Sequence, residues 1–272
     1  MRSLLLHAHR DDNFDARLQV SLDLARTFNA HVTLLQPVAF NVVIPGDFYG
    51  VTAADMAPVV RELAQQFRAE IEPRMAGEDV RFDWVDEIGL ADSQMIQHAA
   101  LTDLAIVGAS PPDGDAGSGP SPLAGILAVH CRAPILVVPD DARGIMTGEP
   151  AMVCWNGSLE ASRALRAAVP LLQAASKVFL VCVDSNPEDD DTFLPALSGA
   201  QYLDRHDVKC EIVEVPRGTD SIAHVLRQVA QAREVGLIVM GAYGKPRLLE
   251  TIFGGVTAEM LKNPDVPILL SH

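Results

Sequence analysis

Positive charge is scarce in this sequence. Its 272 residues include 21 lysines and arginines against 36 aspartates and glutamates, which leaves a formal net charge of −15 at pH 7. Proteins that bind DNA or RNA need a surplus of lysine and arginine to neutralise phosphates, and polybasic membrane-surface proteins need the same surplus. The composition therefore argues against nucleic acid and against a membrane surface as partners.

Long apolar runs and a cysteine framework are also missing. No segment approaches the roughly 20 apolar residues that a membrane-spanning helix requires. The apolar run at residues 4–6 ends at His7, before the core of a signal peptide could form. We therefore expect a cytoplasmic protein without a membrane segment. No CxxC pair occurs, so neither a disulfide framework nor a metal site is expected of the cysteines. The four cysteines are Cys131, Cys154, Cys182 and Cys210.

What the sequence does contain is an internal repeat. Apolar residues make up 49% of the chain, enough for one or two cores, and the length suggests two domains. Four short stretches recur in the same order, which indicates duplication. The falling offset places about thirteen extra residues in the first half, around residues 40–59. The matching pairs are 4–7 with 152–155 and 30–35 with 176–181, at offsets of 148 and 146, then 103–110 with 236–243 and 133–137 with 266–270, both at 133.

Each half alternates apolar strand-like runs with amphipathic helical patterns. Such buried strands with helices between them predict a parallel sheet covered on both faces. The polar segment 140–150 joins the halves, which gives domains at 1–145 and 146–272. Strands are predicted near 4–7, 31–35, 80–85, 104–107, 135–138, 152–155, 178–183, 208–215, 237–240 and 268–270. Helices are predicted near 15–28, 54–75, 91–100, 123–130, 161–172 and 222–229, with a further one opening at Gly254-Gly255.

A glycine-rich loop follows the fourth strand of the second half. Gly241 and Gly244 flank a two-residue turn, and Gly254-Gly255 open the next helix nine residues later. Glycine lets backbone N–H groups approach a phosphate closely, and a helix N-terminus adds unsatisfied donors. The loop is thus a candidate triphosphate cradle. It is neither a Walker A loop, because Pro246 follows Lys245, nor a GxGxxG dinucleotide motif. The alternative is that these glycines only make a tight turn and permit close helix–sheet packing.

The loop spacing resembles a known family. Nucleotide-binding universal stress proteins carry G-x2-G-x9-G-(S/T) after the fourth strand, and Gly241, Gly244 and Gly254 match that spacing. Residues 153–165 resemble the family's opening strand, turn and first helix. The chain is similar to a tandem universal stress protein. The resemblance implies two doubly wound α/β domains, each a five-stranded parallel sheet of order 3-2-1-4-5 with helices on both faces.

The resemblance also implies a ligand, which is ATP or a related adenine nucleotide, with Mg²⁺ as an accompanying ion. Its site would lie between the first, second and fourth strand ends of the second half. The implied phosphate contacts are Gly241, Gly244, Gly254, Gly255 and Val256. The implied nucleoside contacts are Asn156, Val183 and Met240.

Two positions depart from the family pattern. The family's aspartate after the first strand is Asn156 here, which keeps an oxygen acceptor, loses the charge and gains an NH₂ donor. The serine or threonine after the third motif glycine is Gly255, which removes a hydroxyl donor. Backbone donors survive both changes, so we expect weakened binding that is not abolished.

The first half has lost the corresponding residues. At the offset of 133, Pro111 stands opposite Gly244 and Pro122 opposite Gly255. Proline has no N–H to donate to a phosphate. Ser121 and Ala8 stand opposite Gly254 and Asn156. The first half is therefore not expected to bind ATP by this route, and a pairing surface or another pocket is expected instead.

Other candidate sites are weaker. His7 and His9 lack a third ligand at metal spacing, and the acidic run 188–191 lacks the EF-hand pattern. No GxSxG or HExxH motif occurs, so no catalysis is predicted beyond slow ATP hydrolysis at most. Two alternatives stay open: a nucleotide-free interaction or ligand-binding protein, and an adenylate-using enzyme, although HxGH and SGGxDS signatures are missing.

The last strand of each half lacks charge. Residues 134–138 and 267–270 would be adhesive edges if exposed. We therefore predict that these two strands pair with each other within the chain, as the family's dimers suggest. Whether two chains also associate stays open.

Overall fold

The computed structural model describes residues 1–39, 53–111, 120–145, 148–183, 194–242 and 255–272. Of residues 53–56 only the backbone is described. Gly244 and Gly254, the acidic run 188–191 and the position of the extra segment before residue 53 lie outside these ranges.

The first half alternates strands and helices throughout. Its strands are β1 (Ser3–His7), β2 (His31–Val38), β3 (Arg81–Ile88), β4 (Leu104–Gly108) and β5 (Ile135–Val138). Its helices are α1 (Phe14–Phe28), α2 (Ala53–Ala76), α3 (Ala91–Ala99) and α4 (Pro122–His130). The helix ends carry local signals: α1 stops where Asn29 adopts a left-handed conformation, and the Ser121 hydroxyl accepts from the Ala124 N–H at the start of α4.

The second half repeats this order. Its strands are β6 (Ala151–Cys154), β7 (Val178–Val183), β8 (Cys210–Val215), β9 (Leu237–Gly241) and β10 (Ile268–Ser271). Its helices are α5 (Leu159–Gln173), α6 (Ala196–Asp204), α7 (Ile222–Ala232) and α8 (Gly255–Leu261). Serine hydroxyls cap two of these helices, with Ser158 at α5 and Ser221 at α7.

The strands form one ten-stranded sheet in the order β3-β2-β1-β4-β5-β10-β9-β6-β7-β8. Within each half the neighbouring strands are parallel and follow the order 3-2-1-4-5. This confirms the predicted fold class of two tandem doubly wound units. All ten strands lie where the apolar runs placed them, whereas α6 was not foreseen.

The halves meet through their last strands. β5 and β10 are antiparallel neighbours, with Ile268 opposite Val137, Leu269 opposite Leu136 and Leu270 opposite Ile135. These side chains are at most 1% exposed. Neither apolar edge therefore faces solvent, which removes the template for unwanted strand pairing that a bare edge offers.

Two hydrophobic cores lie on opposite faces of the sheet. One is formed against α1, α2, α5 and α6, and includes Phe67, Leu165 and Leu203. The other is formed against α3, α4, α7 and α8, and includes Leu127 and Leu226. Both faces are thus covered, as the near-continuous apolar strands predicted.

The longer connection of the first half lies between its second and third strands. There α2 spans 24 residues, whereas its counterpart α6 spans 9. This difference explains why the repeat offset falls along the sequence. No helix among the described residues is long and apolar enough to span a membrane.

Candidate functional site

The switch point of the second half lies between β6 and β9, which are parallel neighbours. The chain leaves β6 for α5 on one face and leaves β9 for α8 on the other. Helices that depart to opposite faces open a crevice at the carboxyl ends of the two strands, where doubly wound sheets bind ligands. The residues at this edge are therefore the first candidates for a site.

Asn156 lies at this edge, two residues after β6, and its side chain is exposed. Its Oδ1 accepts the Ser158 N–H at 3.2 Å, which orders the turn that leads into α5. The Ser158 hydroxyl in turn accepts the Ala161 N–H at 3.2 Å. The Asn156 oxygen thus has a structural partner, while its NH₂ group has no hydrogen-bond partner among the described residues and is available to a ligand.

The turn at Gly157 is held by a distant segment. Gly157 has φ +76°, and a Cβ there would lie 2.2 Å from the backbone oxygen of Leu194. The Leu194 N–H donates to the Gly157 oxygen at 3.0 Å, and the Trp155 indole N–H donates to the Leu194 oxygen at 3.2 Å. The chain before α6 therefore crosses the β6–α5 turn, a contact that the Asn-Gly turn signal did not reveal.

Gly241 ends β9 and packs against the start of α5. A Cβ there would lie 2.6 Å from the Ala161 nitrogen and 2.6 Å from the Glu160 carbonyl carbon. Backbone atoms cannot give way as a flexible side chain can. The missing side chain of Gly241 is thus explained by helix–sheet packing, which was the alternative that the sequence left open. Its role in phosphate binding stays a prediction.

The other end of the glycine loop is open. Gly255 begins α8 and is exposed, and no described atom lies within 4 Å of a Cβ built on it. Val256 is half-buried and packs against the core under α7 and α8. Gly244 and Gly254 lie outside the described residues, so their predicted contacts with phosphate stay predictions.

The remaining predicted residues line the same edge. Val183 ends β7 and is half-buried, and Met240 near the end of β9 is 4% exposed. The backbone N–H of Trp155 donates to the backbone oxygen of Val181 at 2.8 Å. This hydrogen bond extends the β6–β7 pairing toward Asn156. The ends of β7, β6 and β9 thus bring Val183, Asn156 and Met240 to one edge of the sheet.

The comparisons with known proteins fit this geometry. The model of the Universal stress protein family matches residues 149–272. The second half is a universal stress protein domain. A search of curated proteins gives no match to the sequence.

Solved structures extend the likeness in fold to the whole chain. A universal stress protein from Archaeoglobus fulgidus DSM 4304 has a TM-score of 0.77 at 12% identity, over 99% of this chain and 95% of that chain. A structure described as a putative universal stress protein from Pseudomonas aeruginosa UCBPP-PA14 has a TM-score of 0.58 at 15% identity, over 100% and 93%. A universal stress protein in complex with cAMP covers 47% of this chain and 99% of that one, with a TM-score of 0.35 at 19% identity.

The first half differs from the universal stress protein domain at the equivalent edge, because a buried ion pair fills it. A Cβ on Gly108, the counterpart of Gly241, would lie 2.8 Å from Nη1 of Arg17. That guanidinium donates to both carboxylate oxygens of Asp11, at 3.0 and 2.8 Å. The two side chains are 3% and 9% exposed. Where α5 brings its backbone onto Gly241, α1 therefore places a charged side chain over Gly108.

Sequence reasoning missed this pair, although a signal was present. Arg17 stands between Phe14 and Ser21, three and four residues away, on the buried face of α1. An arginine on a helix's buried face needs an acidic partner, because an unpaired charge is costly to bury. Asp11, in the loop before the helix, was the candidate partner.

Two histidines, His7 and His9, lie near this pair. His7 is 4% exposed, and its ring stacks on that of His9 with centroids 5.8 Å apart. Within the part of the chain that the structure describes, no group of three or more histidine, cysteine or acidic side chains could hold a metal ion. Burial, followed by the positive charges of Arg17 and His9, holds the pKa of His7 well below its ordinary value of 6.5.

This lowered pKa predicts a loss of stability in acid. The unfolded chain takes up a proton at His7 as the pH falls below 6.5, whereas the folded chain does not. The histidine therefore costs up to about 1.5 kcal/mol of unfolding free energy between pH 6.5 and about pH 5. His7→Gln should flatten this part of the pH profile in urea unfolding, with His224→Gln on the exposed face of α7 as the control. Identical profiles for the wild type and His7→Gln would contradict the prediction.

All four cysteines are free thiols. Burial raises the pKa of the Cys154 thiol to about 12 and that of Cys182 to about 11. Neutral thiols with such values are poor nucleophiles and poor metal ligands. Cys154 and Cys182 are therefore neutral thiols near pH 7.

Proposed function

We propose that the universal stress protein domain binds an adenine nucleotide, ATP or a close relative, at the β6/β9 switch point, and that it serves as a sensor or regulatory module in a stress response. The observation that carries the proposal is the setting of the glycine loop. Gly241 is the last residue of β9 and Gly255 the first of α8. A glycine loop between a strand and a helix is the context in which such a motif holds phosphates.

The chemistry of the neighbouring residues supports this assignment. Asn156 presents an exposed amide beside the crevice, Val183 offers half-buried apolar surface, and Met240 lies at the same edge with 4% exposure. A nucleoside needs such a combination, in which a flat base packs on apolar groups and polar groups orient the sugar. Mg²⁺ belongs to the proposal as the ion that accompanies the phosphates.

A second candidate is a nucleotide-free interaction or ligand-binding protein. The observation that favours it is the close approach of α5, which accounts for Gly241 without any ligand. Denaturing the purified protein and analysing the released small molecules by mass spectrometry separates the two. An adenine nucleotide in stoichiometric amount supports the first candidate, and a different molecule supports the second.

We further propose that the whole chain is a tandem universal stress protein whose domains associate through β5 and β10. The antiparallel register of these strands and the burial of their side chains support this arrangement. In this proposal the first domain pairs with the second and does not bind a nucleotide. The Arg17–Asp11 ion pair occupies the sheet edge that is equivalent to the nucleotide site of the second domain.

The direct test of nucleotide binding is a calorimetric titration with ATP, with and without Mg²⁺. The wild type should give saturable heat, and Gly254→Pro should give none, because proline removes a backbone donor from the loop. Equal heats from both proteins would remove Gly254 from the site. Absence of heat from the wild type, with no nucleotide released on denaturation, would overturn the proposed function.

A gain of affinity is expected from Gly255→Ser. The substitution restores the hydroxyl that the family pattern has at this position, and the space around a Cβ there is open among the described atoms. A hydrogen bond to a charged phosphate is worth about 1.5–3 kcal/mol, so ATP should bind at least about tenfold more tightly. Pro122→Ser, at the equivalent exposed position of the first half, is the matched control and should leave the affinity unchanged. An unaltered affinity in Gly255→Ser would show that the start of α8 does not face the phosphates.

A further inference from the structure

A cavity of about 420 Å³ lies at the amino ends of β9 and β10, at the opposite edge of the sheet from the glycine loop. Its lining includes Ile238 near the start of β9, Ile268 at the start of β10 and Met260 of α8. These three side chains are at most 4% exposed, whereas Pro264 and Val266, which also line the cavity, are half-buried and offer apolar surface to a ligand. The volume falls within the range of small-molecule sites, which is about 300–1,000 Å³.

The rim of this cavity carries charges of both signs, of which one is already compensated. Arg227 on α7 donates from Nη2 to the carbonyl oxygens of Glu259, Met260 and Lys262, in the last turn of α8 and just beyond. These carbonyls form the negative end of the helix dipole. These carbonyls therefore compensate the positive charge of the Arg227 guanidinium within the protein.

The two acidic residues of the rim are not compensated. Glu234 and Asp265 are exposed, and neither forms a salt bridge with any residue that the structure describes. The mouth of the cavity is therefore negative, in a chain whose net charge of −15 already attracts cations. A ligand that suits both parts has an apolar body and one positive charge.

These charges are not a by-product of the duplication. At the offset of 133, the counterpart of Glu234 is Leu101 and the counterpart of Asp265 is Arg132. The first half therefore has an apolar residue and a cation where the second half has two carboxylates. The negative rim is a property of the second half alone.

We propose that this cavity binds a small amphiphilic monoamine, with its apolar body against the apolar lining, which includes Pro264 and Val266, and its ammonium group between Glu234 and Asp265. The site is separate from the glycine loop, since it lies at the amino ends of β9 and β10 on the α7/α8 face. It does not depend on nucleotide binding.

The test uses three probes of similar size: phenethylamine, phenylethanol and phenylpropionate. Each is titrated into the full chain with labelled isoleucine methyl groups, and the methyl signals of Ile238 and Ile268 report on the cavity. Phenethylamine should shift both signals saturably and bind roughly fivefold more tightly than the alcohol, because it gains two exposed carboxylate interactions. Phenylpropionate should bind most weakly.

Two variants locate the charge and the cavity separately. Glu234→Gln combined with Asp265→Asn should reduce the affinity for phenethylamine to that for phenylethanol and leave the alcohol unaffected. Ala230→Phe places a larger side chain in the wall of the cavity and should weaken all three probes. Unchanged methyl signals away from the cavity verify that each variant is folded. No saturable shift with any probe would overturn the site, and equal affinities for amine and alcohol would overturn the amine assignment.

Discussion

Replacing Arg17 with methionine should lower the free energy of unfolding of the first domain by about 3–5 kcal/mol. Methionine is close to arginine in length and restores apolar contact, but it leaves the Asp11 carboxylate in a site where that side chain is 9% exposed. A buried charge without its partner keeps its full desolvation cost. The combined Arg17→Met and Asp11→Asn variant should recover much of the loss, because it removes both charges.

The measurement can be confined to the first domain. The chain has two tryptophans, Trp84 in β3 and Trp155 after β6. In a Trp155→Phe background, urea unfolding followed by fluorescence reports on Trp84, which packs against Phe67 with ring centroids 5.8 Å apart.

The matched control is Arg26→Met on the same helix. Arg26 is paired with Glu78, but its side chain is 42% exposed. An exposed pair is worth about 0–1 kcal/mol. Equal effects of the two substitutions would show that the Arg17–Asp11 pair is no more important than a surface pair.

Gly241→Ala should destabilise the second domain by about 2 kcal/mol. The new methyl group would lie 2.6 Å from backbone atoms of Glu160 and Ala161, so α5 must move away from the sheet. That movement opens gaps beside Ala164 and Leu165, which pack in the core and are at most 2% exposed. Alanine also lowers the entropy of the unfolded chain, which offsets the loss only in part.

Gly255→Ala is the control for this substitution. A Cβ at Gly255 meets no described atom within 4 Å, and alanine favours a helix more than glycine does. Its stability should be equal to or slightly above that of the wild type. Both variants are compared in a Trp84→Phe background, where fluorescence reports on Trp155. A Gly241→Ala protein as stable as Gly255→Ala would show that α5 does not approach β9 as closely as described.

The duplicated fold has a glycine at the end of the fourth strand of each half. Gly108 and Gly241 are equivalent, and each leaves room for a part of the first helix of its own half: the Arg17 side chain in one case and the α5 backbone in the other. The same glycine in the repeat thus serves two different packings. A glycine in such a motif therefore does not by itself indicate a ligand.

The strands could be predicted because their signal is local. Each apolar run, such as Leu104–Gly108 or Leu237–Gly241, is short and continuous, and the repeat in the same order, at offsets that fall from 148 to 133, showed that the two halves share one topology. The helix Ala196–Asp204 was missed, although its 9 residues equal the length of α3, which the sequence did predict. The position of Asn156 at the strand edge followed from the strand assignment.

The sequence by itself determined the duplication, the ten strands, and the loss of glycines and of a polar nucleoside contact in the first half. Only the tertiary structure decided what fills the space at each strand end. The Arg17–Asp11 pair, the approach of α5 to Gly241, and the hold of Leu194 on Gly157 all depend on how the elements pack. The physical reason is that apolar periodicity records which side chains are buried, whereas their partners are set by how closely distant elements approach.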